Sequence, residues 1–144
     1  PLSGRIETLI GRSRKNRQLM SVTEISGKKA VTNYTTIKVF EIKDIPRISF
    51  IECALETGKT HQIRVHMAYK GCSLLGDQQY GKKNLKFKKI NEDFENKLKI
   101  LNRQALHAKS LGFIHPTTKK FVNFESKLPQ DFKKILDLLN KLSH

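Results

Sequence analysis

Three stretches rich in Ile, Val, Thr and aromatic residues, at 5–10, 30–42 and 47–56, precede the first segment with helical character. Such residues fit strands. With no regular alternation of strand and helix, the chain lacks the crossovers a parallel sheet requires. The pattern therefore predicts an α+β fold with a mainly antiparallel sheet. A turn around Asp44 and Pro46 joins the second and third strands.

The alternation of the third strand breaks at Thr57-Gly58-Lys59-Thr60. Thr60 is a suitable cap for a helix over 61–70, and Gly71 is placed to end it. A short apolar piece, 72–75, leads into a loop through Gly81. Phe87, Ile90, Phe94, Leu98 and Leu101 recur at helical spacing, which predicts a helix over 89–101. The region 82–101 is heavily charged and reads as a helical insertion packed loosely on the body. Strands at 106–114 and 121–126 flank the turn His115-Pro116-Thr117-Thr118, so His115 is read as a turn residue. After Pro129, the set Phe132, Ile135, Leu136, Leu139 and Leu142 marks a C-terminal amphipathic helix.

Lys and Arg number 28 against 13 Asp and Glu, a formal charge of +15 on 144 residues. Such an excess favours a polyanionic partner held by phosphate neutralisation, although solvated charged faces alone would give the same balance. Four cations fall within Arg12-Ser13-Arg14-Lys15-Asn16-Arg17, a run suited to a phosphate backbone if it lies in a loop between strands. No apolar run approaches the roughly 20 residues of a membrane-spanning helix. Cys53 and Cys72 are too few for a disulfide framework and fit a reducing compartment, the cytoplasm.

Gly58-Lys59-Thr60 is not a phosphate-binding loop, because Cys53 stands where that motif needs its first glycine. His61 and His66 are five apart, on different faces of a helix, and no Cys-x2-Cys pair accompanies them, so no metal is expected. The block from Leu55 to His66 sets a glycine turn and a helix start beside Lys59, Thr60, His61, Gln62 and Arg64. Exposed N–H groups there favour an anion, and the Arg64 fork suits carboxylate or phosphate. An ordinary strand–helix junction with solvated polar groups would read the same way.

Thr57-Gly58-Lys59-Thr60-His61-Gln62-Ile63-Arg64-Val65-His66 resembles the Thr-Gly-Arg-x-His-Gln-Ile/Leu-Arg-Val-His motif of the RluA-type large-subunit ribosomal RNA pseudouridine synthases. The similarity continues in family order through Gly76-Asp77-x-x-Tyr80-Gly81, Arg103-Gln104-Ala105-Leu106-His107-Ala108, His115-Pro116 and Leu128-Pro129-x-Asp131. Upstream, Ile10-Gly11-Arg12, Arg17 with Met20, and Ala30-Val31-Thr32-x-Tyr34 also look like the family. Two of the blocks lean toward its RluD/RluC branch. Lys59 departs from the usual Arg, keeping charge and losing the bidentate fork.

The resemblance implies a mixed, mostly antiparallel central sheet with flanking helices. It also implies an RNA uridine isomerase needing neither metal nor organic cofactor, with large-subunit ribosomal RNA as partner. Arg64 would be the active-site arginine, paired with a catalytic Asp. Lys59, Thr60, His61, Gln62 and His66 would line the RNA approach, with Arg12, Arg14, Lys15 and Arg17 on the backbone. The family's essential Asp lies in a His-Arg-Leu-Asp motif. Asp44, Asp77, Asp93, Asp131 and Asp137 are the aspartates here, and none follows Arg-Leu. The active-site Tyr is not matched either, since Tyr34 corresponds to another strand position. Residues 1–144 are accordingly expected to be the C-terminal portion of a catalytic domain, inactive alone and prone to self-association through uncovered apolar surface. Arg64→Ala is expected to remove the parent's activity and spare the fold. A non-catalytic RNA-binding module is the alternative.

Overall fold

The computed structural model describes residues 2–81 and 91–143. Its element order is β1 (Ser3–Arg12), β2 (Met20–Thr23), β3 (Lys28–Phe40), β4 (Ile48–Leu55), α1 (Gln62–Tyr69), α2 (Glu92–Leu101), β5 (Ser110–Ile114), β6 (Phe121–Glu125) and α3 (Gln130–Leu142). The first four strands form one sheet in the order β2-β1-β3-β4, and β5 and β6 form a separate hairpin. Every described pairing is antiparallel, including the long β1–β3 ladder from Ser3↔Thr35 to Ile10↔Lys28.

Two apolar clusters join the four-stranded sheet to the helices. Ile10, Ala30 and Val65 join β1, β3 and α1, with Met20, Val22 and Tyr80 packed around them. Phe40 at the end of β3 meets Phe94 and Leu101 of α2 and Ile135, Leu138 and Leu139 of α3 in the second. The charged segment before Leu101 was expected to pack loosely. Its helix instead places Phe94 and Leu101 inside this cluster, because they lie seven apart on one helical face. Residues 82–90, the rest of the expected insertion, lie outside the described residues.

Helix α1 starts one residue later than its sequence suggests. Its N-cap is His61, in the left-handed region at φ 56°, with no side-chain cap bond, so Thr60 is not the cap. The C-terminus closes as expected: Gly71 at φ 81° lets its own N–H reach the Ala68 carbonyl (2.9 Å) and the Cys72 N–H reach Met67 (2.9 Å). This is the Schellman arrangement, which satisfies carbonyls the helix leaves open. His115 is a turn residue as read, its Nδ1 accepting from the N–H groups of Thr117 and Thr118 at 3.1 and 3.2 Å. Among the described residues, no helix is long and apolar enough to cross a membrane.

Candidate functional site

Arg64 projects from the middle of α1 and is buried, which obliges its charge to find a partner. That partner is Asp77, on the loop that follows Gly76. Arg64 Nε donates to Asp77 Oδ2 at 2.9 Å and Nη2 to Oδ1 at 2.8 Å, a bidentate fork. Nη2 also donates to Gln79 Oε1 at 2.8 Å. Asp77 Oδ1 accepts the backbone N–H groups of Gln79 and Tyr80, both at 3.1 Å, so the same carboxylate shapes the loop. Gly76 is required there: it sits at φ 74°, and a Cβ would lie 2.3 Å from the Arg103 carbonyl oxygen.

Tyr80 completes the setting. The Arg64 guanidinium lies over its ring at 4.9 Å, a cation–π contact. The Tyr80 hydroxyl accepts from the Met20 N–H at 3.0 Å and lies 2.8 Å from His61 Nδ1. It therefore joins the start of β2, just past the basic loop, to the turn before α1. Burial lowers the His61 pKa, as do the charges of Arg64 and Arg12, against an opposing pull from Asp77. The imidazole is thus neutral at pH 7, and its Nδ1 shares one hydrogen bond with the Tyr80 hydroxyl.

Burial alone would raise the Asp77 pKa, but the bonds from Arg64, Tyr80 and Gln79 outweigh it and hold the carboxyl below its usual range. One edge of the guanidinium stays open. Among the described residues Nη1 has no hydrogen-bond partner, and no buried side-chain polar atom lacks one, so Nη1 reaches solvent. The site is thus a rigidly seated cation presenting one N–H edge beside a neutral imidazole.

Two of the expected RNA contacts lie elsewhere. Gln62 is buried and fully occupied: Nε2 donates to the Val31 carbonyl and Thr32 Oγ1, both at 3.0 Å, and Oε1 accepts from Thr57 Oγ1 (2.8 Å) and the Lys59 N–H (3.0 Å). His66 has no exposed surface and sits between Thr32 Oγ1 at Nδ1 and Thr8 Oγ1 at Nε2, both at 2.8 Å. A neutral imidazole donates from one ring nitrogen and accepts at the other, so each ring nitrogen has a threonine hydroxyl as its partner. Both side chains bolt α1 to β1 and β3 and are withdrawn from the RNA approach. Arg64 also carries structure, since without it Asp77 would be a buried carboxylate lacking its counter-charge. The expectation that Arg64→Ala spares the fold is corrected accordingly.

The remaining expected contacts are accessible. Arg12 ends β1, and Arg14, Lys15 and Arg17 are exposed in the loop between β1 and β2, which Arg12 Nη1 braces by donating to the Arg17 carbonyl at 3.2 Å. Lys59 is half-buried, Thr60 exposed and His61 half-buried at the turn into α1. Asp77, Gln79 and Tyr80 were not singled out as site residues from sequence. The usable signal was chemical: a buried arginine demands a carboxylate, and Asp77 lies in the motif that follows α1.

Residues 1–69 match the family model described as RNA pseudouridylate synthase. An uncharacterized RNA pseudouridine synthase of Bacillus subtilis is 43% identical over 96% of this chain and 39% of its own length. The ribosomal large subunit pseudouridine synthase D of Zymomonas mobilis is 44% identical over 96% of this chain and 41% of its own. The chain thus spans about two fifths of these relatives. In fold it is similar to the human RNA pseudouridylate synthase domain containing 1, with a TM-score of 0.65 and 20% identity over 97% of this chain and 60% of that one. The chain belongs to the RluA-type RNA pseudouridylate synthases and corresponds to part of their catalytic domain.

Proposed function

We propose that this chain is the RNA-facing part of an enzyme that isomerises specific uridines of large-subunit ribosomal RNA to pseudouridine. The reaction breaks the N1–C1′ glycosidic bond, turns the uracil and forms the C5–C1′ bond; the C5 proton passes to water and N1 gains one. A carboxylate must act as nucleophile or base, and in this reading it comes from an Asp outside these 144 residues. The observation that supports the reading is the fixed guanidinium of Arg64, with Nε and Nη2 committed to Asp77 and Gln79 and Nη1 open. That open edge is suited to the incoming catalytic carboxylate, which it would hold ionised.

Arg12, Arg14, Lys15, Arg17, Lys59 and Thr60 contact the RNA, with His61 beside the extruded base. No metal or organic cofactor takes part, and the enzyme works in the cytoplasm. The test is tritium release from large-subunit ribosomal RNA labelled at uracil C5. We expect release by the full-length product of the gene and none by this chain alone. Release that survives Arg64→Met within twofold removes Arg64 from the reaction. No release by the full-length product, with RNA binding retained, leaves a non-catalytic RNA-binding module.

A further inference from the structure

Strand register brings two cations onto one face. Lys28 is the cross-strand partner of Ile10, and Arg12 lies two residues beyond Ile10 on β1. Side chains two apart, and those directly opposite across a ladder, share a face. Ile10 is buried against Val65 of α1, so Arg12 and Lys28 project on the side where α1 packs. On that side lies a solvent-open groove of about 400 Å³, lined among others by Gly11, Arg12, Lys28, Gly58, Lys59 and Thr60.

The charge in this groove is all of one sign. Other cations on or beside the sheet are paired with acids: Lys29 with Glu7 at 3.0 Å, Arg5 with Glu7 at 2.6 Å, Lys109 with Glu52 at 2.9 Å. No acidic residue lines the groove, and among the described residues Arg12, Lys28 and Lys59 form no ion pair. Three uncompensated cations around one concavity raise the local concentration of anions. The groove also adjoins the Arg64 site, since Met20 lines it and donates its N–H to Tyr80.

We propose that this groove holds the RNA backbone, with Lys28, Arg12 and Lys59 neutralising consecutive phosphates and Lys28 a contact outside the Arg12–Arg17 run. The proposal rests on the RNA reading above and assigns where the strand enters. Lys28 is exposed and unpaired, so its replacement leaves the core intact. Gly58 offers a second handle: a Cβ there meets nothing within 4 Å, and its φ is not left-handed.

The experiment titrates a fluorescein-labelled RNA stem–loop of about 20 nucleotides into this chain from about 50 to 200 mM salt. Lys28→Glu and Lys134→Glu each change the net charge by the same amount, but Lys134 is exposed on α3, away from the groove lining. We expect Lys28→Glu and Gly58→Glu to weaken binding at least tenfold and Lys134→Glu by less than about threefold. Lys28→Ala should lower the log–log salt slope by about 0.7 to 0.9. Equal losses in Lys28→Glu and Lys134→Glu, or equal competition by polyglutamate and unlabelled RNA, overturn the groove assignment. A wild-type chain with no RNA affinity instead overturns the RNA reading itself. Melting curves superposable with wild type confirm that each variant is folded.

Discussion

Replacing Asp77 by Asn isolates what the buried ion pair does. The Asn Oδ1 still accepts the N–H groups of Gln79 and Tyr80, so the loop keeps its shape. The new Nδ2 donor, however, faces Arg64 Nε–H across a contact that is 2.9 Å in the native pair. The guanidinium then stays buried with no counter-charge. Removing one partner of a buried pair costs about 3–5 kcal/mol, a large share of the roughly 5–15 kcal/mol that stabilises a domain. At roughly 3 °C per kcal/mol for a chain of this size, the melting temperature should fall by about 10–15 °C. Circular dichroism at 222 nm against temperature and urea measures it. Arg64→Met should cost a similar amount, because it leaves the carboxylate uncompensated. The double variant, with no charge buried, should be more stable than the two separate losses imply, by about 2 kcal/mol or more. A coupling below about 0.5 kcal/mol means the two residues act independently, and the account of a single buried unit is then wrong. The sign with pH follows from the lowered Asp77 pKa. The contribution is fully present above the unfolded value, about 3.9, and is lost as pH falls through the folded one. Acid unfolding below pH ~4 should therefore be shallower in Asp77→Asn than in wild type.

Other expectations are more local. His66 is held below its ordinary pKa by burial, with a smaller push from the Lys70 charge. The unfolded chain then takes up a proton first as pH drops below about 6.5, so stability should fall from pH 7 toward 5; a His66 Cε1 proton signal that titrates with an ordinary midpoint refutes this. Two glycines should respond in opposite directions to alanine: Gly76→Ala should lose at least ~2 kcal/mol, whereas Gly58→Ala should be neutral or gain up to ~1 kcal/mol. Equal urea midpoints for the two would contradict the φ and contact argument. Leu111, Phe113, Ile114, Phe121 and Phe124 of the β5–β6 hairpin are all exposed, so the isolated chain should self-associate. Sedimentation over a tenfold concentration range should show a rising apparent mass, and a constant monomer mass sinks the idea.

Most of the architecture was legible because it rests on local patterning. The β3–β4 hairpin, the Gly71 stop and the amphipathic α3 are written in adjacent residues. Strand β2 was not foreseen: Met20–Thr23 is four residues long, too short to show a period, and exists because β1 offers it an edge. The site was half legible. The motif order located Arg64, but not Asp77, Gln79 and Tyr80 as its holders, since their roles arise only when the loop folds back over α1. Gln62 and His66 misled for the opposite reason. Their polarity suggests a surface, and only the paired Thr side chains of β1 and β3 make their burial tolerable.

Gln62, Thr32, His66 and Thr8 form one bonded row that crosses from α1 to β3, back to α1 and on to β1. Thr32 and His66 are fully shielded from water. Their labile protons can therefore trade with deuterium only when α1 lifts from the sheet. The exchange rate of the His66 ring N–H thus gauges the free energy of that partial opening, separately from global unfolding. It would also show whether RNA in the groove slows the opening, and so whether the helix that carries Arg64 is clamped by the strand it serves.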